Sequence, residues 1–149
     1  MDQPSDKGSI NSADVILGPN PIVGFRATDV ARETARAVSI ALRQPRLTGT
    51  VAKSIVNEWV KVFKDDSELA PADRDARFAD PEWMENKAYR QWLQAYLAWV
   101  NGVNRWVEEQ PDISQFARAR LEFLTSLIND AIAPSNFPLQ PTALRKMKE

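Results

Sequence analysis

The sequence predicts an all-α fold, a loosely packed domain of about four to five helices behind a disordered N-terminal tail. Three observations carry that prediction. Large apolar residues recur at three- and four-residue steps in several separate stretches, the period of a helix rather than a strand. Prolines and capping residues stand at the ends of those stretches: Pro45, Pro81, Pro111 and Pro134. No stretch alternates apolar and polar residues over a strand's length, and no internal repeat is visible.

At 149 residues and 44 % hydrophobic content the chain can bury one core. Residues 1–14 are polar, rich in Asp, Ser and Gly, and read as a disordered tail. Residues 15–149 read as one helical region. It starts with VILGPNPIVGF (15–25), where Pro19 and Pro21 forbid a regular helix. Its Val15, Ile16, Ile22, Val23 and Phe25 are free to tuck against another surface.

A first helix is expected from Thr28, a good N-cap, to Gln44, before Pro45. Ala31, Ala35, Val38 and Leu42 make one stripe on it, and Arg32, Arg36 and Arg43 make another. Residues 26–53 hold six basic and two acidic side chains, a local balance of +4. Such a stripe is either a solvated face or one suited to an anionic or amphiphilic surface. A second helix is expected from Thr48 to Lys64, with Val51, Ile55, Trp59 and Val62 on one side.

Residues 65–81 form a charged connection. It holds Asp65, Asp66, Glu68, Asp73, Asp75 and Asp80, but lacks the spacing and glycine of a calcium loop, so the carboxylates read as solvated charge. Asp80-Pro81-Glu82 is a helix start, and a break is expected near 85–87, where Asn86 can cap a second start.

The dominant helix is 86–110. Tyr89, Trp92, Tyr96, Trp99, Val103 and Trp106 lie on one side of it, and Leu93, Val100 and Val107 widen that side. Three of the five tryptophans and both tyrosines are here, so this face meets most of whatever the chain packs against or binds. It reads as core, with a partner-facing surface as the alternative. Gly102 weakens the helix slightly and Pro111 ends it. Asp112-x-x-Gln115 resembles a capping box opening a fourth helix to Ile132, with Phe116, Phe123, Leu124, Leu127, Ile128 and Ala131 as its apolar face. A turn follows over 134–138, and 142–149 reads as the start of a further helix cut short.

The composition excludes several chemistries. With no cysteine and no histidine, this chain can assemble neither a thiolate nucleophile nor an imidazole base, so Ser-His-Asp and Cys-His catalysis are ruled out within it. No catalytic residue, metal site or cofactor is assigned. A net charge of −1 gives no case for nucleic acid. No apolar run approaches the roughly 18 residues of a membrane span, and the N-terminus lacks a secretory pattern, so the reading is of a soluble, cytosolic protein.

Four ordered stretches resemble a known family. Arg77-Phe78-Ala79-Asp80-Pro81-Glu82-Trp83, followed by Tyr89 and Tyr96-Leu97-Ala98-Trp99, is similar to the N-terminal region of polyhydroxyalkanoate synthases, polymerases of bacterial storage polyester. Gly18-Pro19-Asn20-Pro21-Ile22-Val23-Gly24 resembles the family's Asn-Pro-x-x-Gly segment. Ala133-Pro134-Ser135-Asn136 resembles its Ala-Pro-(Ser/Thr)-Asn turn, and Gln140-Pro141-Thr142-Ala143 stands where it has Asn-Pro-Ala-Ala. Asn86-Lys87 departs from the family's Asn-Pro, which should soften the helix break there.

The resemblance implies transfer of 3-hydroxyacyl groups from coenzyme A to a growing polyester. The catalytic cysteine of that reaction lies in a later α/β-hydrolase domain, and no residue here can be matched to it. The implied role is an accessory one: contacts with the catalytic domain or a synthase subunit, granule-associated proteins or the granule surface. The alternative is a stand-alone helical interaction module. On either reading, Arg32, Arg36, Arg43, Trp92, Trp99 and Trp106 form the candidate interaction surface.

Overall fold

A computed structural model of the chain describes residues 27–141 and 143. The N-terminal tail, the 15–25 segment and most of the helix expected from 142 lie outside the described residues. Within them the chain is all-α: α1 (Ala27–Arg43), α2 (Pro45–Lys64), α3 (Glu82–Glu85), α4 (Lys87–Glu108) and α5 (Gln115–Ala131). Short 3-10 turns occupy Ala76–Phe78 and Pro134–Asn136.

Helix α4 is the centre of the fold, with α2 and α5 packed against it and α1 packed on α5 and α2. The tyrosine and tryptophan side of α4 is packed, but so is a row of small residues. Ala98 and Gly102 are buried against α2, where Gly102 meets Ile55. Trp59 of α2 donates its indole N–H to the Ala95 carbonyl across this seam, at 2.9 Å. One broad face would serve a helix with one neighbour; α4 has neighbours on two sides. Its amides tie down the end of α2 and the loop after it: buried Gln94 donates to the carbonyls of Ser67 and Leu69, and Gln91 donates to that of Val62 in the last turn of α2.

The main core cluster joins the 76–85 segment to α4. Phe78, Trp83, Leu93, Tyr96 and Ala133 are buried together, and Tyr89, Trp92, Leu97 and Val100 pack around them. Phe78 meets Trp83 edge-on at 5.3 Å, and Trp83 meets Tyr89 at 5.4 Å. Such edge contacts suit the ring quadrupoles and add roughly 0.5–1.5 kcal/mol per pair beyond burial.

Several boundaries differ from the sequence expectation. Pro45 does not merely stop α1; it occupies the first turn of α2, leaving only Gln44 between the helices. Proline suits that position because the missing N–H would have no helical partner there. The break at Asn86 is not softened by the lost proline. Asn86 has extended backbone (φ −85°, ψ 122°) and its side chain accepts from Ala88 and Tyr89 N–H, capping α4. The N-cap of α5 is Ser114, whose hydroxyl accepts from Ala117 N–H, rather than Asp112. Asp112 instead turns the chain in left-handed backbone (φ 54°), which Asp tolerates better than most residues.

The larger correction concerns which faces are buried. On α1 the stripe of Ala31, Ala35, Val38 and Leu42 points outward, with Val38 53 % and Leu42 75 % exposed. Among the residues of α1 whose side chains are described, the buried one is Glu33, paired with Arg120 of α5. On α5, Leu121, Leu124, Thr125 and Asn129 are buried, while Phe116, Phe123, Leu127, Ile128 and Ala131 are not. α5 therefore packs about one residue row away from its most apolar face.

Candidate functional site

Seen from the residues upward, the stretch Arg77–Trp83 builds structure. Asp75 caps the 3-10 turn by accepting from Arg77 N–H, and it also binds the Arg77 guanidinium through both oxygens at 2.9 Å. Arg77 reaches on to Asp130 of α5 at 3.3 Å, so one side chain links the loop to a distant helix. Asp80 accepts from Glu82 N–H at the start of α3. Ala133 and Pro134 are buried, and Asn136 donates back to the Asp130 carbonyl.

The Arg77 guanidinium holds the Asp75 carboxyl below the usual carboxylate range. A depressed folded-state value stabilises the fold above the unfolded aspartate value of about 3.9 and loses that contribution as pH falls through the folded value. Arg77 is 46 % exposed, so solvent screening limits the gain to at most about 1 kcal/mol. Asp75→Asn keeps the cap oxygen and removes the charge. It is expected to lower stability by up to about 1 kcal/mol at neutral pH, with the deficit closing in acid. Urea titrations at both pH values check this, and a deficit unchanged by pH would refute it.

Arg77 also borders a polar cleft of about 280 Å³ between α4 and α5, with Tyr96, Asn129, Asp130, Glu122 and Glu108 around it. Tyr96 donates its hydroxyl to the Asn129 carbonyl at 3.2 Å, and burial pushes its phenol up, keeping it protonated as a donor. Three carboxylates and one guanidinium line this cleft, and of the three it is Asp130 that pairs with Arg77. Of the remaining loop carboxylates, Asp65 is engaged structurally: it binds Arg90 at 3.0 Å and lies 3.7 Å from Lys87.

The six candidate interaction residues fall into two groups. Arg32, Arg36 and Arg43 are all exposed on α1, and Arg32 lies 3.4 Å from Asp29. Trp92, Trp99 and Trp106 are part-buried on α4. Trp99 donates its indole N–H to the Asn129 side chain on α5, and Trp106 donates to Thr48 on α2, each at 3.1 Å. Thr48 in turn donates to the Ala41 carbonyl, so Trp106 connects through it to the end of α1 near Arg43. Trp92 packs on Phe137 at 5.5 Å, and beside it Tyr89 donates to the Leu139 carbonyl. Phe137 and Leu139 stay exposed, which leaves an apolar edge next to Trp92.

Two apolar surfaces were not singled out by the sequence. One is that Phe137–Leu139 edge. The other is a groove of about 170 Å³ between α1 and α5, lined by Val30, Phe116, Ala119, Phe123, Leu124 and Leu127, with the Glu33–Arg120 pair beside them. A signal for the second was available. α5 carries more large apolar residues than one packed face can take, and α1 carries few. Among the described residues no helix is long and apolar enough to cross a membrane.

Comparisons with known proteins bear on the whole assembly. A family model described as the poly-beta-hydroxybutyrate polymerase (PhaC) N-terminus matches residues 74–149. The chain is 39 % identical over 128 residues to poly(3-hydroxyalkanoate) polymerase 2 of Ectopseudomonas oleovorans, covering 86 % of this chain and 23 % of that protein. It is 34 % identical over 133 residues to poly(3-hydroxyalkanoate) polymerase 1 of the same organism, covering 89 % of this chain and 24 % of that one. The chain thus spans about a quarter of the length of these curated relatives. No solved structure matches it.

Proposed function

The chain belongs to the poly-beta-hydroxybutyrate polymerase family, matching that family's N-terminus over residues 74–149, and on that premise we propose that it supplies non-catalytic contacts to a polymerase joining 3-hydroxyacyl groups from coenzyme A into storage polyester. The observation that carries this reading is the amount of large apolar surface left outward on a small helical domain. Phe137 and Leu139 flank half-buried Trp92, and Val38 and Leu42 lie outward on α1. Apolar patches rimmed by charge on a folded domain mark contact surfaces. The edge at Trp92, Phe137 and Leu139 is the one we assign to the catalytic α/β-hydrolase domain or a second synthase subunit. With no histidine or cysteine in the chain, the chemistry falls to that partner.

The test is co-purification with a matching catalytic domain, followed by an acyl-CoA polymerisation assay with and without this chain. Binding together with a faster rate or shorter lag is the expected result. A catalytic domain that neither binds the chain nor changes rate in its presence would refute the reading.

The outward arginines of α1 favour a second reading, in which this face meets the polyester granule or a granule-associated protein in the cytoplasm. Arg32, Arg36 and Arg43 stand beside Val38 and Leu42, a basic amphipathic arrangement suited to an amphiphilic surface. Arg32→Glu combined with Arg36→Glu is expected to reduce recovery with isolated granules several-fold. Unchanged recovery would make these arginines a solvated face.

A further inference from the structure

The groove between α1 and α5 is not used by either reading above, and its position suggests its occupant. Its walls are Val30 on one side and Phe116, Phe123 and Leu127 on the other. Phe116 is 69 % and Phe123 48 % exposed, so the apolar walls remain largely uncovered by the described residues. The charges beside the groove, Glu33 and Arg120, bind each other. An occupant therefore needs to be apolar and uncharged, and it need not bring a counter-charge.

We propose that residues 15–25 of this same chain, VILGPNPIVGF, fold back into this groove. The segment contains no charged residue, and six of its eleven residues (Val15, Ile16, Leu17, Ile22, Val23 and Phe25) are large and apolar. It ends two residues before α1, and Val30, one turn into α1, already lines the groove. Reach is sufficient. The wall from Phe116 to Leu127 spans about 16 Å of helix, which about five extended residues cover. Pro19 and Pro21 keep the segment out of helix, and Gly24 eases a change of direction just before α1.

A tethered occupant also has the advantage over one from solution. A linker this short gives an effective concentration on the order of millimolar, well above that of a second chain at ordinary concentrations. The competing occupants are a second copy of this chain and a separate protein.

The absence of native cysteine makes the test direct, because the introduced pair supplies the only thiols in the chain. The full chain would carry Ile22→Cys with Leu127→Cys, or Val23→Cys with Phe123→Cys. Ile22→Cys with Val60→Cys, on an outward position of α2, is the control. Under mild oxidation the groove pairs are expected to close within one chain, at least tenfold faster than the control. In parallel, Ile22→Asp combined with Phe25→Asp should raise the fluorescence of an apolar-surface dye several-fold, because the vacated groove binds it. Equal closure in groove and control pairs, or an unchanged dye signal, would overturn the proposal. Disulfides formed only between chains would overturn it in favour of a second copy.

Discussion

Trp83→Ala is expected to lower stability by about 3–5 kcal/mol, the largest loss from any single truncation in this domain. The indole is fully buried, at 0 % exposure, and it touches Phe78, Tyr89 and Trp92. Removing it leaves a cavity walled by rings that belong to two different segments, so neither can collapse into the space alone. For a chain of this size that loss corresponds to a melting temperature lower by roughly 6–20 °C. The indole N–H itself has no hydrogen-bond partner among the described residues. Trp83→Phe therefore removes volume and breaks no hydrogen bond, and it is expected to cost less than half as much as the alanine variant. Thermal melts followed by circular dichroism check both. Equal losses for the two variants would mean that the indole N–H matters after all, and an unshifted melt for Trp83→Ala would refute the core assignment.

The contrast with Trp99 shows what periodicity can and cannot reveal. Both residues stand in motifs of the same family resemblance, and Trp99 lies squarely on the aromatic side of its helix. Trp83 sits in a four-residue helix too short to have a face. Yet Trp83 is the fully buried one, because the loop around it folds over α4, and no local period encodes that closure. The long helices, their proline boundaries and the Asn86 cap were legible, since each depends on residues within one or two turns. Which side of α1 faces inward was not. Val38 and Leu42 outrank Glu33 on any hydrophobic scale, but Arg120 supplies Glu33 with a partner from 87 positions away and leaves the apolar stripe outside. The same holds for α5, where buried Asn129 accepts from the Trp99 indole at its side chain and from the Tyr96 hydroxyl at its carbonyl, and buried Thr125 donates to the Glu122 carbonyl. The candidate site suffers most from this, since an interaction surface is whatever tertiary packing leaves over.

Gly102→Ala tests the same distinction at a single atom, and two effects oppose each other there. Helix propensity alone favours alanine by about 1 kcal/mol. Packing opposes it. A β-carbon at 102 would lie 2.5 Å from Ile55 Cδ1 and closer still to its Cγ1, where carbon pairs at rest keep about 3.5–4.0 Å. Ile55 is itself buried in the α2–α4 seam, so its side chain cannot swing into solvent without losing that burial. Overpacking of this kind costs about 1–3 kcal/mol, with the helices also held together by the Trp59–Ala95 hydrogen bond. The expected net result is a loss of up to about 2 kcal/mol, opposite in sign to the propensity argument. Ile55→Ala removes both clashing carbons, so the double variant should be less destabilised than the sum of the singles by about 0.5–3 kcal/mol. Denaturant titrations of the two single variants and the double variant measure that coupling. A stabilising Gly102→Ala would mean that α2 and α4 can part at no cost. Additive losses would mean that the close approach at Gly102 is relieved by backbone movement rather than by the Ile55 side chain.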